Sequence, residues 1–436
     1  MTKHESSPDV VVVGAGIIGC AIALSLQRRG FRTLTVDRGP AAGYGSTSYS
    51  AAIVRPYYST TDGTALAMEG HFAWKNWESY LGYLPATPIQ YHECGCLILG
   101  TSDRESLVKT RALLSRVGVP FEDVSENSLG RWLPEADLRS FAPPRRIDDP
   151  AFGDTDGSMV SGGVFCPTGG YINDPSLACQ QIALAVGRAG GRFIYGDPVV
   201  AIHSDIDGIQ GITLERHGYI SCPIVVNAAG PHSAQVRAMA GAYREGEVKT
   251  TALRQEVAHL PMPQNSGSAA LQCVLTDTDC GVYMRPEGAS HMLVGSLEPP
   301  CDVLEYVAPD NYQESLSDQW TNQVWRTALR FPGLGIPNSA SGYAALYDVS
   351  DDWIPIYDIT DIKGFFLAIG TSGNQFKNAP LVGEILASII QYQNSGRNHD
   401  ATPAEYILPT LSRPIDLRCF SRRRETNRES SFSVLG

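Results

Sequence analysis

The stretch that most constrains this chain is Asp9 to Asp37, DVVVVGAGIIGCAIALSLQRRGFRTLTVD. Val10 to Val13 form a continuous β-branched run, short enough for a strand buried on both faces of a parallel sheet. Gly14, Gly16 and Gly19 follow at once as G-x-G-x-x-G. That pattern leaves room for a tight turn, for backbone to approach a pyrophosphate, and for a helix to pack on the strand. The spacing predicts a helix from Ile17 to about Arg29, whose first N–H groups, at Ile17 and Ile18, and positive dipole end face that phosphate. Gly30 stops the helix and Phe31 to Val36 read as the second strand. Asp37 stands at its end, where a carboxylate accepts hydrogen bonds from a ribose diol. Strand, turn, helix and acid agree on a dinucleotide-binding βαβ unit. A signal peptide or membrane anchor over Val10 to Leu26 is the competing reading. The glycine spacing argues against it, as does the direct passage from Arg28-Arg29 into another apolar strand.

A chain of 436 residues is long enough for two domains with large cores. With 18% charged and 43% hydrophobic residues it has the balance of a globular enzyme, and a net charge of −12 gives nucleic-acid binding no electrostatic support. The 10 cysteines show no paired C-x-x-C spacing. Cys94-Gly-Cys96 is the one close pair and, without a second pair or a histidine cluster, reads as two small side chains on one strand face, so no metal site is expected. No later segment reaches transmembrane length without charge or proline, and reduced thiols suit a cytoplasmic enzyme.

Beyond Asp37 a polar loop, GPAAGYGSTSYS, leads into Ala51 to Tyr58, where Arg55 is a charge set in an apolar and aromatic run. Such a guanidinium reaches solvent at a strand end or, if buried, must find an anion. Thr64 to Leu81 has a helical period with Trp74 and Trp77 on the apolar face, which points to core packing rather than a ligand cage. Short strands from Gln90 to Leu99 and a helix near Glu105 to Val117 follow. Residues 142–163, rich in Pro, Gly and Asp, read as a long connection and a domain boundary. Asp174 and Pro175 mark a helix start, as N-cap and first helical residue, and Ile224 to Gly230 is an apolar strand ending in small residues that let a cofactor near the backbone. Residues from about 240 to 342 are strand-rich, with a helix near Tyr312 to Leu329. Gly364 to Gly370, then Thr371 to Lys377 and a helix from about Ala379, form a second strand, glycine turn and helix. The tail from Thr410, holding Arg422-Arg423-Arg424, reads as a surface strap or a frayed terminus.

Taken together, these pieces resemble the flavin-dependent D-amino-acid oxidase (DAO) superfamily, most closely its sarcosine oxidase-like branch. The resemblance spans residues 9 to about 400. Its marks are the glycine turn with Asp37, IVRPYY around Arg55, GGYIND-P, VVNAAG, YDVSDDWIPIYD from Tyr347 to Asp358, and GTSGNQFK ending in Lys377. It implies an α/β fold: a discontinuous Rossmann-like FAD-binding domain (residues 1–83, 158–238 and 343–405), a mixed-sheet α+β substrate domain (84–157 and 239–342), and a tail over 406–436. It also implies FAD contacts at Gly14, Gly16, Ile17, Ile18, Gly19, Asp37, Arg38, Ser46, Thr47, Val199, Ala229, Gly230, Gly370, Gly373, Asn374, Gln375, Phe376 and Lys377.

The implied chemistry is oxidation of the carbon next to an amine, giving an imine that water hydrolyses, with the protein supplying orientation and charge. Arg55 and Lys377 match the branch's carboxylate-holding pair. Tyr347 stands where simple D-amino-acid and glycine oxidases carry an Arg, which favours N-substituted substrates. Ala344-Ala345-Leu346 and Tyr49 replace the Cys and His of relatives that attach flavin covalently, so non-covalent FAD is expected. The strand His291 to Gly295 lacks the branch's oxygen-site Lys, leaving His291 or Lys249 as candidates there and either oxygen or an electron carrier as the acceptor. A small amine or amino acid is the expected partner, and homo- or hetero-oligomers are compatible with the pattern. Two other classes compete. An NAD-dependent dehydrogenase predicts one uninterrupted nucleotide domain with a separate base motif; the other class is a non-catalytic FAD-binding subunit of a larger assembly.

Overall fold

The computed structural model describes residues 7–263 and 271–436. Val10–Val13 lies in the middle of a six-stranded sheet, between Ile224–Asn227 and Thr33–Val36 and parallel to both. Arg192–Ile194 extends one side in parallel, and on the other side comes Phe365–Ile369, with Ile356–Ile359 antiparallel at the edge. Both faces of the central strands are buried, which is why Val10 to Val13 needs no polar alternation. Helices Ile17–Arg28, Pro175–Arg188 and Ala379–Asn394 cover one face and bury Ile22, Ile182 and Ile385. Asp174 caps the second of these, its Oδ1 accepting from Leu177 N at 2.8 Å, ahead of Pro175. The opposite face carries an antiparallel hairpin layer, Val199–Asp205, Gly208–Leu214 and Gly218–Ser221, and the short helix Ser233–Met239.

A second, larger sheet runs in the order Glu305–Val307, Thr250–Pro261, His291–Ser296, Val282–Glu287, Val274–Asp277, Cys96–Leu99, Gly162–Cys166, Glu122–Ser125. The long strand Gly342–Ser350 also pairs with Thr250–Pro261, and helix Asp318–Arg330 packs on the sheet through Trp320 and Val324. Gly162–Cys166 and Gly342–Ser350, expected with the nucleotide-binding segments, thus hydrogen-bond within the larger sheet. Buried Arg330 bridges Asp277 at 2.8 Å and Asp279 at 2.9 Å, so this acidic pair with Cys280 beside it already holds its cation.

Residues 406–436 are neither frayed nor a loose strap. Tyr406–Leu408 pairs with Arg413–Ile415, and Arg422 is fully buried against Glu247, Asp358 and Asp400. The sequence shows three adjacent arginines but not their carboxylate partners, which come from three distant stretches of chain. No helix among the described residues is long and apolar enough to cross a membrane.

Candidate active site

A cavity of about 710 Å³ opens along the carboxyl ends of the central strands and continues between the two sheets. At one end Gly14, Gly16, Ile17 and Ile18 line it. A Cβ on Gly14 would fall 2.3 Å from Ala228 O, and one on Gly19 1.9 Å from Gly14 O, so these two glycines are required by packing of the turn itself. A Cβ on Gly16 would meet only Thr47 Oγ1, at 3.3 Å. Gly16 is therefore where bare backbone is offered to a ligand, while Gly19, expected as a cofactor contact, lies behind the cavity wall. Ile17 N donates to Thr47 Oγ1 at 3.0 Å, tying the polar loop over the helix start. Asp37 accepts from Ala15 N and Gly39 N, each at 2.6 Å. Arg38 pairs with Asp310, which also meets His232 Nε2 at 3.0 Å and Gln235 Nε2 at 3.1 Å, closing this end of the cleft. The hydrogen bond from Arg38 holds the Asp310 carboxyl well below the ordinary carboxylate range. Val199, Ala229 and Gly230 line the same region, and Ser46 Oγ donates to Leu346 O at 2.7 Å.

At the far end the turn after Phe365–Ile369 presents Gly373, Asn374, Gln375, Phe376 and Lys377. Gly373 adopts φ +67°, and a Cβ there would lie 2.4 Å from the Tyr347 ring, so both conformation and space require glycine. Gly370 does not face the cavity; its N–H donates to Asp348 Oδ2 at 2.7 Å. Asp348 also accepts from Ser233 Oγ at 2.9 Å, joining the strand from the larger sheet to this turn, and burial pushes its carboxyl up to about 7. Nothing in its spacing marked Asp348 out beyond its place in the YDVSDD segment.

Helix Thr61–Lys75 locks the backbone of Lys377. Trp74 Nε1 donates to Lys377 O at 2.7 Å, and the indole stacks on Phe376 at 5.0 Å between ring centres. The expected core aromatics therefore also position the site. Lys377 Nζ donates to Tyr58 Oη at 2.9 Å and to Asn374 O at 2.5 Å, and burial, followed by the nearby Arg55, drives its amine well below the usual lysine range.

Arg55 follows the strand Ile53–Val54, whose pairing with Gly170–Ile172 carries it inward rather than out to solvent. Its guanidinium lies 4.7 Å from the Tyr58 ring centre and the Lys377 ammonium nitrogen 4.8 Å from the same ring, so one aromatic ring contacts both cations. Arg55 donates to the carbonyls of Tyr57 and, at 2.6 Å, Val434. Among the described residues neither cation forms an ion pair with a carboxylate. Tyr347, Tyr283, Thr276 and Leu297 complete the walls near this pair. His291 is a correction: it is exposed, its ring 4.8 Å from that of His259 and outside the cavity, because it begins its strand at the end opposite the cavity-lining Leu297. Lys249 is likewise exposed and outside the lining.

The cavity suits an extended dinucleotide with a ring system at its far end. The helix start and bare Gly16 lie at one end, the carboxylate of Asp37 stands beside them, and the flat Gly373 to Phe376 turn faces the other end. In the comparisons, FAD-dependent oxidoreductase domain-containing protein 1 of Bos taurus is 25% identical, over 88% of this chain and 81% of its own length. Among solved structures, L-proline dehydrogenase from P. horikoshii superposes with a TM-score of 0.74 at 19% identity, covering 96% of this chain and 98% of that one. Glycine oxidase from Geobacillus kaustophilus superposes at 0.73 with 19% identity, covering 96% of this chain and 100% of that one. The profile of the DAO family, FAD dependent oxidoreductase, matches residues 9–389, so this chain belongs to that family and its cofactor is FAD.

Proposed function

We propose that the protein oxidises the C–N bond of a secondary or N-substituted amino acid, of the sarcosine or N-carboxymethyl type, to an imine that hydrolyses. The observation that carries this reading is the buried pair of Arg55 and Lys377 at the flavin end of the cavity, neither of which forms an ion pair with a carboxylate among the described residues. Burial and the neighbouring Arg55 charge both disfavour the protonated form of Lys377, and an anionic substrate group offsets both. The planar Arg55 fork suits a carboxylate, held by two parallel N–H bonds. The relatives named glycine oxidase and L-proline dehydrogenase support an amine donor; Tyr347, with no cation at that place, favours an N-substituted one.

When bound, FAD supplies the acceptor for two electrons and a hydrogen from the carbon bearing the amine. The protein's part is to orient and deprotonate. An ammonium substrate must lose a proton before its C–N bond can become a C=N bond. Lys377 Nζ, whose affinity for a proton is lowered by burial and by the nearby Arg55, is suited to exchange that proton with the substrate and to face its carboxylate. Gly373 keeps the turn flat against Tyr347, and the apolar walls at Leu297 and Val274 exclude water from the reacting carbon.

Anaerobic mixing of the FAD-loaded protein with a panel of N-methyl and N-carboxymethyl amino acids tests the reading. Bleaching of the visible flavin band by these and not by their decarboxylated analogues is the expected outcome. A protein that no carboxylated amine reduces is not such an enzyme.

A further inference from the structure

The C-terminal segment enters the substrate end of the cavity. Arg424 grips Asp352 through contacts of 2.7 and 2.9 Å, and Ser430 Oγ donates to Asp352 O at 2.6 Å, which anchors the chain at the edge of the site. Exposed Phe432, at φ +48°, then turns the backbone inward. Val434 packs among Tyr283, Leu297 and Trp353, and both Val434 and Leu435 line the cavity. The Val434 peptide is held from both sides: its N–H donates to Glu298 Oε2 at 2.8 Å, and its carbonyl accepts from Arg55 Nη2 at 2.6 Å. Arg55 thus directs one arm of its fork at a neutral carbonyl in a place where a buried cation calls for an anion, and Glu298 Oε1 nearby is sealed from solvent with no hydrogen-bond partner among the described residues.

Resting on the reading of Arg55 as the carboxylate-binding cation, we propose that residues 430–435 are an internal ligand of the substrate site. The Val434 carbonyl takes the place of a substrate carboxylate on Arg55, Leu435 bounds the space beside it, and a carboxylated substrate binds by displacing the segment. A charge-assisted, two-pronged bond outcompetes a single bond to a neutral carbonyl. An amine without a carboxylate offers Arg55 nothing in exchange, so the segment discriminates in favour of carboxylated amines. Apparent affinity is lowered by the fraction of molecules with the segment docked, and removing the segment lifts that penalty.

The probe is benzoate, whose binding near the ring system of FAD perturbs the visible spectrum. In the FAD-loaded protein, a variant ending at Glu429 is expected to bind benzoate about tenfold tighter or more. Equal or weaker binding overturns the proposal, because a permanent wall adds contacts instead of competing. Should the shortened chain fail to hold FAD, the unaltered protein decides. Trypsin cleavage after exposed Arg428 should accelerate with saturating benzoate as the segment is released. Unchanged cleavage, or protection, overturns the proposal. Arg55→Met separates the two layers of argument: benzoate binding as tight as in the unaltered protein refutes the role of Arg55 itself. Weakened binding together with unaccelerated cleavage in the parent refutes only the segment's.

Discussion

Arg55→Met is the perturbation on which the substrate assignment turns. Arg55 is 6% exposed, shares the Tyr58 ring with Lys377, and among the described residues its guanidinium donates to peptide carbonyls alone. Truncating one partner of a buried, hydrogen-bonded charge pair costs about 2–5 kcal/mol. At 1.36 kcal/mol per decade that is roughly 1.5 to 3.7 decades in kcat/KM. Lys377 remains as a second cation, which places the expected loss for a carboxylated N-methyl amine at about two to three decades. The decarboxylated analogue never used the guanidinium and should change by less than about threefold, so the ratio between the two substrates carries the result. Arg55→Lys should recover only part of the loss, since an ammonium cannot offer two parallel donors. The assay is anaerobic stopped-flow reduction of the flavin, with FAD content measured first. Equal losses for both substrates would show that Arg55 supports the fold or the cofactor instead of recognising a carboxylate, and near-normal kinetics with the acid would end the assignment altogether.

Gly16→Val puts a branched side chain where the cavity approaches bare backbone and should leave mostly colourless protein; a fully loaded mutant would mean the phosphates lie elsewhere. No cysteine lines the cavity among the described residues, and its histidine, His232, sits at the Asp310 end, so acid precipitation should release all the FAD into the supernatant, as a spectrum of both fractions will show. Reduced enzyme should react with oxygen more slowly than with an artificial dye, because Lys377 is the lone lysine lining the cavity among the described residues and burial disfavours its charged form; rapid reoxidation by air would remove the need for a separate electron carrier. Burial raises Glu298 from 4.5 to about 8, so between those values the folded state keeps a proton the unfolded chain has lost, and stability falls as pH rises through that window. Relative to Glu298→Gln, the parent should lose up to about 1.4 kcal/mol per pH unit there and nothing further above it; a difference independent of pH in denaturant melts would place the Glu298 carboxyl in contact with water.

The sequence by itself determined the local geometry of the nucleotide end. A β-branched run, three spaced glycines and an acid at the next strand's end admit one arrangement, because turn, helix start and strand are all decided within thirty residues. Asp174 with Pro175 likewise declared a helix start locally. Glycine spacing could not tell which glycine faces a ligand: Gly19 went to packing and Gly370 to Asp348, and only the opposing backbone decides that. Arg55 was ambiguous for the same reason. Burial or exposure at a strand end depends on what crosses above it, and that is Gly170–Ile172 from more than a hundred residues away and Val434 from the far end of the chain. His291 failed because the sequence of a strand does not say which of its ends faces the cavity in the finished fold. The tail was least legible. Three adjacent arginines look like a solvated run until Glu247, Asp358 and Asp400, which share no local pattern, converge on Arg422, and only tertiary packing can collect charges that lie so far apart in the chain.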